Sequence, residues 1–92
     1  ARVVTVALAV TDRGELLADH DLNLRGIPEA NARGEALHQL AFAAVQDAFE
    51  QLPRARRRDP DAVAESITRA VRSTIAQHWG KKPLCHVHVL VV

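Results

Sequence analysis

Much of the chain's character lies in what it lacks. It has one cysteine, no methionine, no tyrosine, one tryptophan and two phenylalanines. A lone Cys85 excludes an internal disulfide. With no disulfide framework and no signal-like segment, a cytoplasmic setting is the expectation. The longest apolar runs fall well short of the roughly 18 residues that a membrane span needs. The formal net charge is +1, which is not the strong basic excess of a nucleic-acid binder. Scarce aromatics leave the core to Val, Leu, Ile and Ala. No Gly-rich phosphate loop, Ser-His-Asp arrangement or zinc-finger spacing occurs. The missing initiator, and an apolar strand starting almost at once, lead to the expectation of a piece cut from a longer protein.

What is present reads as one domain over residues 1–92. A chain of this length buries roughly 60–65% of its unfolded surface, enough for a single core. Val3 to Val10, V-V-T-V-A-L-A-V, is β-branched and of strand length. Val4, Val6, Leu8 and Val10 share its bulky face, and Val3, Thr5, Ala7 and Ala9 its smaller one. Thr11-Asp12-Arg13-Gly14-Glu15 predicts a turn, with Asp12 initiating it and Gly14 supplying positive φ. Leu16-Leu17-Ala18 then begins a second strand, and Asp19 to Ile27 is irregular. Leu37, Leu40, Ala41, Ala44, Val45, Ala48, Phe49 and Leu52 recur at helical spacing, placing a first helix within residues 29–52 with Phe42 widening its stripe. Asp59, Pro60 and Asp61 start a second helix whose stripe is Val63, Ile67, Ala70, Val71, Thr74, Ile75 and Trp79. Gly80 and Pro83 end it. Leu84 to Val92 is a last strand, with Cys85, Val87, Val89 and Val91 on one side and His86, His88, Leu90 and Val92 on the other.

The order β-β-α-α-β predicts a two-layer α+β fold, with two helices on one face of a three-stranded mixed sheet. The last strand lies parallel to a central first strand. One sheet face then stays open, and that face is a natural contact surface. Its candidate residues are Val3, Thr5, Ala7 and Ala9 with one side of the last strand, His86 and His88 or the Cys85 side.

Four constellations invite chemistry, and each is incomplete. His86-Val87-His88 puts two imidazoles on one side of a strand, but two ligands are too few for a stable zinc site. Asp19-His20-Asp21 lacks the pocket and oriented partner that acid–base work requires. Cys85 has no nearby base to make it a nucleophile. Arg54, Arg56, Arg57 and Arg58 form a basic loop able to touch RNA phosphates, without interleaved aromatics for stacking bases. The expectation is a domain with no catalytic, cofactor or metal site of its own, which acts as an interaction module or, alternatively, an RNA-binding module or an unrelated stand-alone interaction domain.

From about residue 2 to 92 the chain resembles the C-terminal domain of the ribonuclease J family, a group of metallo-β-lactamase/β-CASP nucleases. The strand V-V-T-V-A-L carries the likeness, with the turn D-R-G-E-L-L-A-D, the segment D-L-N-L-R-G-I, the Asp-led second helix and the closing K-K-P-L-C-H-V-H-V-L-V-V. His20 stands where the family commonly has proline, and Ile27 where it has an aromatic. Cys85-His86-Val87-His88 is more polar than usual, and the loop after Leu52 is richer in arginine. The resemblance implies a bacterial parent that degrades RNA as 5′-exonuclease and endonuclease, with two metal ions, usually zinc, in its nuclease core. The His-x-His-x-Asp-His motif of that core is absent, because Val89-Leu90 follow His88. It implies for this domain the core and further copies as partners, and a role in oligomerisation and support of activity.

Overall fold

The computed structural model describes residues 1–17 and 20–92. Its elements are β1 (Val3–Val10), β2 (Asp21–Arg25), α1 (Leu37–Gln51), α2 (Pro60–Trp79) and β3 (Leu84–Val91), with a short 3-10 turn at Arg56–Arg58. The sheet order is β2-β1-β3, with β1 antiparallel to β2 and parallel to β3. This is the expected α+β arrangement, and the central first strand and parallel last strand are in place.

The core forms where three stripes meet. Val4, Val6, Leu8 and Val10 of β1 are buried against Leu37, Ala41, Val45 and Phe49 of α1 and Val63, Ile67, Val71 and Ile75 of α2. Strand alternation and helical periodicity therefore converge on one apolar layer, the largest favourable contribution to folding. At α2 the expected signals all act. The Asp59 carboxylate accepts from the Asp61 and Ala62 amides, Pro60 occupies the first turn, and Gly80 closes the helix at φ 94°.

One boundary differs from expectation. The second strand is not Leu16–Ala18: Leu16 makes a single bridge to Val10, and Ala18 lies outside the described residues. The strand is Asp21–Arg25, the segment expected to be irregular. Its D-L-N-L-R pattern buries Leu22 fully and Leu24 partly, with the polar residues outward, and that alternation suffices once β1 supplies a partner. The first helix, expected within residues 29–52, runs from Leu37 to Gln51, because Asn31 to Glu35 forms a turn of its own.

That turn repeats the one at Thr11 to Glu15. In each, the amide of the first residue donates to the glutamate carbonyl, and the glycine amide donates back to the carbonyl of the first residue. The side-chain oxygen of Thr11 or Asn31 accepts from the amides two and four residues on. Gly14 and Gly34 both sit at φ 80°, and an antiparallel bridge flanks each turn. The closing acceptor in the first turn is thus the Thr11 hydroxyl rather than Asp12. Asn31 does more than Thr11: its Nδ2 also donates to the Glu35 carboxylate and to the His78 carbonyl, tying the turn to the end of α2.

Candidate functional site

Both helices pack on the same face of the sheet, so the other face is open. Register sets its rows. Arg25, Val3 and Leu84 lie side by side, then Asn23, Thr5 and His86, then Asp21, Ala7 and His88. Ala9 and Leu90 extend the two β1 and β3 columns. The central column is small and half-buried, whereas the β2 column is polar and exposed. Leu84 and Leu90 are 62% and 64% exposed, and Val92 is 65% exposed. Leu17, whose amide donates to the Ala9 carbonyl, is also exposed. The sequence-derived candidates Val3, Thr5, Ala7, Ala9, His86 and His88 therefore lie on one surface, and Cys85, Val87 and Val89 take the core side instead.

His86 and His88 share this face, one row apart. Asp21 is the acid in the row of His88, but β1 intervenes, placing it about two strand spacings, or roughly 10 Å, away. No group of three or more potential ligands converges among the described residues.

Of Asp19-His20-Asp21, the two described residues lie in different surroundings. Asp19 lies outside the described residues. His20 is 7% exposed and stacks on Phe42 with ring centroids 3.9 Å apart, whereas Asp21 is exposed in the β2 column of the open face. Burial, with a smaller contribution from the neighbouring His38 ring, pushes the His20 pKa below its usual value. Burial likewise pushes the Cys85 thiol up, against a smaller opposing pull from Arg72, so the thiol stays protonated.

The arginine loop divides. Arg57 donates from Nε to the Leu52 carbonyl at 3.0 Å and from its terminal nitrogen to the Glu50 carbonyl at 2.6 Å. It also lies over the Phe49 ring at 5.6 Å. It caps α1, whose last carbonyls have no intrahelical donors. Arg54, Arg56 and Arg58 are exposed and make no ion pair among the described residues. Sequence reasoning treated the four as one patch. The capping role needed one signal it did not use, a cation a few residues past a helix end.

Between the outer flanks of α1 and α2 runs an open groove of about 700 Å³, lined by small residues such as Ala43, Ala44, Ser66 and Ala70. No helix is long and apolar enough to cross a membrane among the described residues.

The sequence model of the family described as Ribonuclease J C-terminal domain matches residues 3–92. A Ribonuclease J of Sinorhizobium meliloti (strain Sm2011 / Rm2011 / 2011) is 40% identical over 89 residues, covering 97% of this chain. The chain spans 16% of the length of that relative.

Proposed function

Since the chain belongs to the ribonuclease J C-terminal domain family, we propose that it is the non-catalytic assembly module of an RNA-degrading enzyme. On this reading it holds copies of the protein together and supports the activity of an upstream metallo-β-lactamase/β-CASP core, in the cytoplasm. The metal ions, expected to be zinc, and the RNA chemistry belong to that core.

The observation that carries the reading is the open sheet face. A three-stranded sheet covered on one side presents a small-residue column flanked by Leu84, His86, His88 and Leu90. Exposed leucine and valine side chains gathered on one face are what an interface buries. Among the described residues no group of three or more potential metal ligands converges on this face, and its exposed apolar side chains favour association.

Sedimentation of the full protein with and without this domain, together with RNA turnover by both forms, tests the proposal. Loss of assembly with weakened turnover is expected. Unchanged assembly and turnover would refute it. Ala7→Glu, which places a charge at the centre of the face without touching the core, is expected to reproduce the loss.

A further inference from the structure

The two edges of the sheet are treated differently. The β2 edge is short, carries Asp21, Asn23 and Arg25, and has its Leu22 carbonyl taken by the His38 ring, which donates from Nε2 at 2.8 Å. Charged side chains and covering groups are the usual means of closing an edge. The β3 edge has none of these. Leu84–Val91 is eight residues long and carries no Asp, Glu, Lys, Arg or proline.

The backbone register gives its unused groups. The Leu84 and Val92 amides donate to the carbonyls of Arg2 and Val10, so the even-numbered residues of β3 face β1. Cys85, Val87, Val89 and Val91 consequently turn their N–H and C=O groups outward. None of the four has another hydrogen bond among the described residues.

Burial shows the same gap from the core side. Val4, Val6, Leu8 and Val10 of β1 are at most 3% exposed, yet Cys85, Val87 and Val89 are only partly buried and Val91 is 53% exposed. Two helices side by side span about 20 Å, and three strands about 14 Å. On the β2 side, His20 stacked under Phe42 fills the difference. On the β3 side no described residue takes the matching place, so the core-facing side chains of β3 stay partly open at the edge.

The flank of α2 nearest this edge is cationic at the Leu84 end. A cavity of about 350 Å³ is lined by Arg69, Arg72, Ser73, Ala76 and Lys82. Arg69 is paired with Glu65, but Arg72 and Lys82 make no ion pair among the described residues. Arg72 is close enough to act on the Cys85 thiol. The acids of this flank, Asp61 and Glu65, lie toward the other end of α2.

We propose that the free edge of β3 receives an extended acidic segment of another polypeptide as a fourth strand. Backbone pairing with Cys85, Val87, Val89 and Val91 gives the affinity, and Arg72 and Lys82 select acidic side chains at the Leu84 end. An extended segment fits because it brings no helix of its own. A second copy pairing through its β3 would offer no acidic side chain to Arg72 and Lys82, because β3 carries none. The inference concerns the sheet edge and is independent of the role of the open face.

The test uses the full protein and a fluorescent peptide of alternating valine and glutamate, matched to the eight residues of β3. A lysine counterpart and a single-stranded RNA serve as rival probes. The acidic peptide is expected to bind and to slow amide exchange in residues 84–92, while the lysine peptide does not. Arg72→Glu combined with Lys82→Glu is expected to weaken binding roughly tenfold, the sum of two surface ion pairs. Val89→Pro removes an outward donor without touching the β1 ladder and is expected to abolish binding. Val91→Pro, at a more exposed position, makes the same test if the first variant fails to fold. Equal binding of both peptides, no binding, or indifference to both proline variants would overturn the proposal. So would RNA binding lost on charge reversal without peptide binding, or self-association that the proline variants abolish.

Discussion

Replacing Arg57 by alanine separates a structural arginine from its exposed neighbours. The guanidinium makes two hydrogen bonds to the last carbonyls of α1 and lies over the Phe49 ring. Charge-assisted bonds of this kind contribute about 1.5–3 kcal/mol each when shielded. Here the Glu50 contact is exposed and its carbonyl rehydrates on mutation, so most of the loss falls on Leu52. A cation over an aromatic ring adds about 0.5–1 kcal/mol at an exposed site. The Arg57 stem also packs beneath the first turn, where a Cβ on Gly14 would meet the Arg57 Cβ at 3.1 Å. Allowing for solvent, Arg57→Ala is expected to cost about 1–2 kcal/mol, which in a domain of this size lowers Tm by roughly 5–15 °C. Arg57→Lys keeps the charge but cannot bridge two carbonyls with a planar fork, and is expected to fall between. Arg54→Ala, Arg56→Ala and Arg58→Ala are expected to stay within about 0.5 kcal/mol of the parent. Thermal and urea unfolding followed by circular dichroism measures all five. Equal small effects at all four positions would show that the capping contacts contribute nothing and would refute the reasoning.

Other expectations follow from the same contacts. If the exposed arginines touch RNA, replacing Arg54, Arg56 and Arg58 together reduces the slope of log K against log salt by about 2, at roughly 0.7 per phosphate; an unchanged slope removes the loop from RNA contact. Gly26→Ala is expected to destabilise more than Gly34→Ala. Both glycines have positive φ, but a Cβ at Gly26 would meet the Ala1 carbonyl oxygen at 2.4 Å while one at Gly34 meets nothing within 4 Å; the backbone term is about 1–2 kcal/mol in each, and equal unfolding midpoints would contradict the difference. Burial holds the His20 pKa below 6.5. As pH falls through that value the unfolded chain binds a proton that the folded chain refuses, so stability declines. His20→Leu is expected to flatten that decline in denaturation curves measured across it, and an unaltered slope would argue against a neutral buried ring. The Glu35 carboxyl is held down to about 2, first by the Asn31 side chain and then by Arg33. Its contribution is present above the usual carboxylate range and is lost as pH falls toward 2, so Glu35→Gln is expected to reduce acid sensitivity in that window alone.

The parts of the fold legible in the sequence were those fixed by local rules. The Asp59 cap, the Gly80 stop and the β1 alternation each depend on residues within one element, and each occurs where the pattern places it. The second strand was misplaced because Leu16-Leu17 is the stronger apolar pair, whereas Asp21–Arg25 carries only two leucines among polar residues. What decides between them is pairing with β1: Leu22 and Leu24 come into register with Val6 and Val4, and the turn absorbs Leu16 after one bridge. Such a choice depends on a partner strand at a distance, which single-sequence periodicity does not contain. The late start of α1 has a local cause that was available, since Asn31 and Glu35 repeat the turn grammar of Thr11 and Glu15.

The open face was legible because alternation alone sorts side chains between two sides of a strand, and counting helices against strands leaves one side uncovered. The edge was not, because an edge is defined by which strands lack neighbours and which backbone groups remain unused. Two facts from the folded chain make it visible: even-numbered residues of β3 bond to β1, and the core-facing side chains of β3 are less buried than those of β1. The composition of β3 then acquires a physical sense. A strand intended to stay unpaired carries lysine, proline or a bulge to prevent extension; β3 alternates half-buried valine with exposed histidine and leucine and has no such guard. Arg72 on the flank of α2 and Lys82 just before the strand make no ion pair among the described residues, leave the backbone accessible and restrict what can reach it by charge. The pattern that hides the site from sequence reading, an ordinary alternating strand, is also what allows that strand to accept another beside it.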